Sequence, residues 1–172
     1  MKKVFLLSGG PGVGKTTIIK QALANVKGKA GGFYTEEIRS GGVRQGFRII
    51  TLEGKSATLA HVDIKSPHRV SKYGVDVEGL DRVGVCALRQ ATQECDLVVI
   101  DEIGKMELFS PAFKEAVLEA INSGKRVLGT IMLSSHPWAD KIKRHPDVVL
   151  IPLTRANRKQ VLEQMLEWGR ST

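Results

Sequence analysis

Residues 9–16 read GGPGVGKT, and no other stretch constrains the fold of this chain so tightly. The stretch fits the pattern G-x-x-x-x-G-K-[ST], with VFLLS (4–8) in front of it and KTTIIKQALANV (15–26) behind. The first flank is a continuous apolar run of strand length. The second carries Ile18, Ile19, Ala22, Leu23 and Val26 at helical spacing. Strand, glycine loop and helix form the setting in which this pattern cradles phosphate. Backbone N–H groups converge on oxygen atoms with no side chain in the way, and the helix N-terminus favours negative charge. Gly9, Gly10, Pro11, Gly12, Val13, Gly14, Lys15, Thr16 and Thr17 are therefore the expected nucleotide-binding residues. Lys15 is expected at the β- and γ-phosphates, and the Thr16 hydroxyl on Mg²⁺.

A strand–loop–helix unit of this kind needs further strands beside it, and the chain supplies them. DLVVID (96–101), RVLGTIM (126–132) and VVLIPL (148–153) are continuous rather than alternating apolar runs, as strands buried on both faces require. Helical patterns separate them, at 78–94, at 111–122 behind Ser110-Pro111, as a short helix within 137–145, and from a Thr154 cap to about 168. Between the first helix and the second strand of this series lie GFYTEEIR (32–39), RQGFRIITL (44–52) and SATLA (56–60), joined by glycine turns. These read as a small antiparallel hairpin insert, about 32–60, followed by a polar segment to about Val75. The expected fold is α/β: a three-layer sandwich with a mainly parallel sheet, in one domain spanning 1–172.

Composition narrows the setting. No apolar run approaches the roughly 20 residues of a membrane helix, and the short run in MKKVFLLSGG leads into the glycine loop rather than a cleavage site. Cys86 and Cys95 form neither a CxxC pair nor a ligand cluster, which suits reduced thiols in the cytoplasm. The formal charge is +8, but the basic residues are dispersed, without a basic tail or an aromatic-interleaved stripe. A phosphate-rich small molecule uses such charge as well as nucleic acid does. Nucleoside triphosphates are the expected partners, with no nucleic acid, no membrane and a monomeric chain.

LVVIDEIGKMEL (97–108) ends its apolar run on two carboxylates. Asp101, at the tip of a buried strand, is placed to hold Mg²⁺ together with Thr16. Neighbours on a strand point to opposite faces, so Glu102 needs a task of its own. Leaving the strand toward the γ-phosphate, it would orient and polarise an attacking water. A kinase gains nothing from a group that aims water at its phosphoryl donor, so the second carboxylate argues for hydrolysis. A phosphotransferase with its acceptor on the hairpin insert, and a nucleotide-driven switch with slow hydrolysis, remain the alternatives.

Taken together, the glycine loop, GFYTEEIRSGGVRQGFRI (32–49), YGVDVE (73–78), IDEIGKMELFS (100–110), GTI (129–131) and the late NR (157–158) resemble a known family. It is the P-loop nucleoside-triphosphatase family first associated with thermophiles, which includes the human cancer-related nucleoside-triphosphatase. The resemblance implies a RecA-like fold and Mg²⁺-dependent hydrolysis of ATP, GTP, CTP and UTP to diphosphate and phosphate. It also implies that Gly104 and Lys105 belong to the nucleotide-binding block. Residues 133–147 match the family less clearly.

Further candidates rest on position. Lys105 follows the catalytic strand within reach of a phosphate. Thr130 ends a neighbouring strand, where it either senses the γ-phosphate or fills a sheet position. Arg144, in KIKRH (141–145), is the candidate arginine finger and is grouped with Glu102 and Lys15 as catalytic; Arg39 competes for that part. Asn157 and Arg158 follow the last strand, at the sheet edge that binds ligands, and are candidates for the base. Glu36 and Glu37 lie where a kinase would hold its acceptor.

Overall fold

The apolar runs pair as strands of one sheet in the computed structural model, which describes residues 2–171. In chain order the elements are β1 (Val4–Ser8), α1 (Lys15–Leu23), β2 (Ala30–Ser40), β3 (Val43–Thr51), β4 (Ser56–His61), β5 (Arg69–Val70) and β6 (Tyr73–Val75). Then come α2 (Val77–Gly79), a π-helical stretch Leu80–Val85, α3 (Cys86–Glu94) and β7 (Leu97–Ile103). The chain ends with α4 (Pro111–Asn122), β8 (Arg126–Ile131), α5 (Pro137–Lys143), β9 (Val148–Pro152) and α6 (Arg158–Arg170). Among the described residues the sheet has nine strands in the order β5-β6-β4-β3-β2-β7-β8-β1-β9.

Strands β2, β7, β8, β1 and β9 run parallel, and β3, β4, β6 and β5 continue the same sheet antiparallel. β2 belongs to both parts. Its Ala30–Phe33 half pairs with β7, and from Phe33 to Ser40 it pairs with β3. The α/β, RecA-like expectation holds, with one correction. The antiparallel insert expected at about 32–60 joins the main sheet as a wing and extends to Val75. Strands of two and three residues, such as β5 and β6, are too short to show a period of two, so the polar segment concealed them.

Side-chain alternation builds the three layers. On β1, Val4 and Leu6 enter one core and Phe5 and Leu7 the other; on β7, Val98 and Ile100 face opposite to Leu97 and Val99. The first core packs under α3, α4 and α5 through Leu88, Phe113, Val117 and Ile142. The second packs under α1 and α6 through Ile18, Ile19, Val161 and Met165, with Phe5 and Trp168 rings 4.7 Å apart.

Helix α4 starts where Ser110-Pro111 predicts. Ser110 Oγ accepts from the Phe113 N–H at 3.0 Å and donates to Asp81 Oδ1, tying the helix start to the π-helical stretch. Ser110→Ala is expected to cost about 0.5–2 kcal/mol, as loss of an N-cap does, read as a lower urea midpoint with an unchanged slope. Helix α6 departs from expectation. It begins at Arg158, and Thr154 is not its cap. The Thr154 N–H donates to Asn157 Oδ1 at 2.7 Å and Thr154 Oγ1 accepts from the Asn157 N–H at 3.2 Å, a closed turn ahead of the helix.

Candidate active site

The glycine loop joins β1 to α1 at the C-terminal edge of the parallel strands, beside the ends of β7 and β8. β8 lies between the strand that carries the loop and the strand that carries the acids. Opposite its Thr130, β7 holds one extra residue: Ile100 pairs with Gly129 and Ile103 with Ile131, leaving both Asp101 and Glu102 facing one position of β8. A bulge of this kind re-aims side chains. It explains how two adjacent acids both reach the loop, against the simple alternation expected of a strand. The Asp101–Glu102 peptide is cis.

Asp101 is 3% exposed and held at both oxygens. Thr16 Oγ1 donates to Oδ2 at 2.7 Å, and Thr130 Oγ1 donates to Oδ1 at 2.6 Å. Thr130 thus orients the acid from the intervening strand. Burial raises the Asp101 pKa above the ordinary aspartate range, against the two hydroxyl hydrogen bonds, which lower it.

Lys15 and Glu102 form the second pair. Lys15 Nζ donates to Gly9 O at 2.9 Å and meets Glu102 Oε2 at 3.2 Å. Their side chains are 18% and 33% exposed, so solvent reaches the pair and it adds little to stability. Gly14, at φ +94°, occupies a conformation that L side chains avoid, and a methyl there would sit 2.8 Å from Arg158 Nη2. Arg158 is therefore packed on the glycine loop.

The other candidates divide. Gly9, Gly10, Pro11, Gly12, Lys15, Glu102, Gly104 and Lys105 line one cavity of 620 Å³. Val13 turns toward the α1–α6 core, and Thr17 is exposed on the first turn of α1. Asn157 has its side-chain oxygen on Thr154 N and its nitrogen on Pro152 O at 2.8 Å, so it shapes the loop that carries Arg158. Arg144 is exposed at the end of α5 and is not among the residues that line the cavity. Arg39 is ion-paired with Glu37 at 2.7 Å. The wing arginine on the cavity wall is Arg44, bonded to Tyr73 Oη and Glu37 and overlooked in the sequence because it sits in an ordinary exposed hairpin. Glu37 also lines the cavity, whereas Glu36 pairs outside it with Arg48.

Residues 4–166 match the family described as NTPase. The chain belongs to this family. A nucleoside-triphosphatase THEP1 from Thermotoga sp. (strain RQ2) is 50% identical over 162 residues, covering 94% of this chain and 92% of that protein. The crystal structure of THEP1 from the hyperthermophile Aquifex aeolicus superimposes with a TM-score of 0.88 at 38% identity, covering 98% and 99% of the two chains. The solution structure of a human cancer-related nucleoside triphosphatase gives 0.81 at 37% identity, covering 100% and 99%. The resemblance read from the motifs is thus the family found, and the NTPase fold carries the loop, the bulged strand and the wing as one unit.

One residue of this NTPase site was missed in the sequence. Glu107, in the 3₁₀ turn Glu107–Phe109 after β7, lines the cavity, is 4% exposed, and its Oε2 has no hydrogen-bond partner among the described residues. Burial, then the neighbouring Glu102 charge, raise its pKa well above 4.5. For an acid raised on folding, the native state holds the proton longer. That stability is fully present below 4.5 and is lost as pH rises toward the folded value. Glu107→Gln, which cannot ionise, is expected to melt above the wild type at neutral pH, with the gap closing below pH 4.5. Each kcal/mol recovered should raise Tm by about 2–4 °C, read in calorimetric scans from pH 4 to 8.

Proposed function

We propose that the protein is a Mg²⁺-dependent nucleoside-triphosphatase that hydrolyses NTPs to NDP and phosphate, with tolerance for ATP, GTP, CTP and UTP. The observation that carries this reading is the meeting of three groups at one loop: the Lys15 ammonium, the Thr16–Asp101 pair and the Glu102 carboxylate. A hydrolase needs a cation on the phosphates, a metal anchor and a base that faces solvent, and these residues have those properties.

The donor set fits Mg²⁺. Thr16 and Asp101 offer hard oxygen atoms, and no cluster of three or more His, Cys, Asp or Glu residues among those described would form a closed cage. Mg²⁺ suits such a site because it takes one or two protein oxygens and completes its shell with phosphate and water. When bound, it neutralises charge on the β- and γ-phosphates. The protein's own part is positioning. The loop's N–H groups and Lys15 hold the phosphates, and Thr130 keeps Asp101 oriented. An arriving phosphate competes with Glu102 for Lys15, which leaves the carboxylate free to take a proton from water in line with the γ-phosphorus. Broad base use is supported by Asn157, whose amide is engaged in its own loop, since discrimination requires polar groups matched to one base edge.

A second reading has its own observation. The cavity at the glycine loop continues past the phosphate-binding residues to Arg44 and Phe47 on the wing. Such space suits a phosphoryl acceptor. Product analysis with each NTP and Mg²⁺, with and without nucleoside and nucleotide acceptors, separates the two readings. Acceptor-independent phosphate release supports hydrolysis; phosphorylated acceptor with suppressed phosphate release supports transfer.

A further inference from the structure

Glu107 lies six residues past Asp101, away from the glycine loop's own hydrogen bonds, yet it shares a space with the base. A Cβ built on Gly104 would sit 3.1 Å from Glu102 Oε1 and 3.3 Å from Glu107 Oε2. The missing side chain at 104 therefore leaves one volume bordered by a carboxyl oxygen of each residue, and all three residues line the cavity. Glu102 already uses its other oxygen, Oε2, on Lys15. Its Oε1 is the oxygen that borders the space at Gly104.

Two carboxylates around one space cannot both ionise at low cost, and the environments decide which keeps the charge. Glu102 has a lysine at 3.2 Å and partial access to solvent. Glu107 is 4% exposed, and its inward oxygen lacks a partner. Glu107 therefore keeps the proton, which is also the direction in which burial moves it. A neutral carboxylic acid in that place can donate a hydrogen bond into the shared space.

We propose that Glu107 is a positioning residue for hydrolysis: its carboxylic acid donates a hydrogen bond toward Oε1 of Glu102 across the space above Gly104, directly or through one water. It holds the base in its working orientation once phosphate has drawn Lys15 away. The donor costs stability at neutral pH, which is the pattern of a group kept for a site rather than for the fold. The role rests on the hydrolytic reading and specifies how that site is kept in order.

The test compares wild type with Glu107→Leu, Glu107→Gln and Gly104→Ala in steady-state phosphate release with ATP and Mg²⁺, alongside titration of a fluorescent ATP analogue. Leucine removes the donor and is expected to lower kcat about ten- to a hundredfold, the weight of one hydrogen bond to a charged group. KM and analogue affinity should stay near wild type. Glutamine keeps an N–H donor and is expected to restore most of the leucine loss. Gly104→Ala fills the shared space with a methyl group, so it should lower kcat even if the leucine variant fails to fold. A leucine variant with wild-type kcat overturns the inference, as do leucine and glutamine variants impaired alike, or a fully active alanine variant. Wild-type protein that releases no phosphate without an acceptor overturns the hydrolytic reading instead, and the two failures are distinct.

Discussion

Glu102→Gln is expected to reduce kcat for phosphate release by about 10²–10⁴-fold, the range that a general base contributes. Glutamine preserves the volume of the side chain and its place on the bulge but cannot accept the proton of an attacking water. Binding should not suffer. The substitution removes the carboxylate that competes for Lys15 at 3.2 Å, so phosphate meets a freer ammonium and nucleotide affinity should hold or rise. Stability should change little, because both side chains are partly solvated and such pairs contribute about 0–1 kcal/mol. The measurement pairs single-turnover phosphate release with equilibrium titration of a fluorescent nucleotide. Turnover near wild type would remove Glu102 from the chemistry, leaving the loop and Asp101 as a binding site without a base.

The parts of this site that were legible in the sequence are those whose physics is local. GGPGVGKT between an apolar strand and a periodic helix specifies its own backbone, and Gly14 at φ +94° with Arg158 packed on it is the outcome. Ser110-Pro111 opened α4 as read, because a cap and a preset φ act within one turn. Strands β1, β7, β8 and β9 were visible because burial on both faces leaves unbroken apolar runs, whereas the parallel half of β2, Ala30–Phe33, carries two glycines and was read as part of the insert. What was not legible depends on register. No pattern in LVVIDEI announces that β7 carries one extra residue opposite Thr130, yet that bulge turns both acids to the loop. Thr130 was weighed as a filler or a phosphate sensor because nothing local says that it meets Asp101 from another strand.

Arg144 and Glu107 show the same limit from two sides. KIKRH is locally basic, which made Arg144 attractive, but the end of α5 leaves its side chain exposed and off the cavity wall. Glu107 sits between methionine and leucine in KMELF and has no local signature of chemistry. Its significance comes from burial without a partner, and only the tertiary structure supplies that. The wing was underestimated for a related reason. Short strands such as β5 and β6 are stabilised by their pairing in the sheet, not by a pattern of their own.

Lys15→Ala is expected to lower kcat/KM by at least about 10²–10³-fold, the loss that follows removal of a group placed to stabilise developing charge. Unlike Glu102→Gln it should weaken binding as well, because the ammonium meets the phosphates in the ground state and in the transition state. The two residues touch, and each constrains what the other can do: Lys15 holds Glu102 until phosphate arrives, and phosphate on Lys15 is what frees Glu102. Residues that act as a unit give non-additive losses. The double variant Lys15→Ala/Glu102→Gln should therefore fall little below the worse of the two single variants in kcat. Without the lysine, the phosphates are no longer held where the base could use them. Losses that multiply would mean that the cation and the carboxylate serve separate steps, and the single shared pocket inferred from their 3.2 Å contact would have to be divided between two functions.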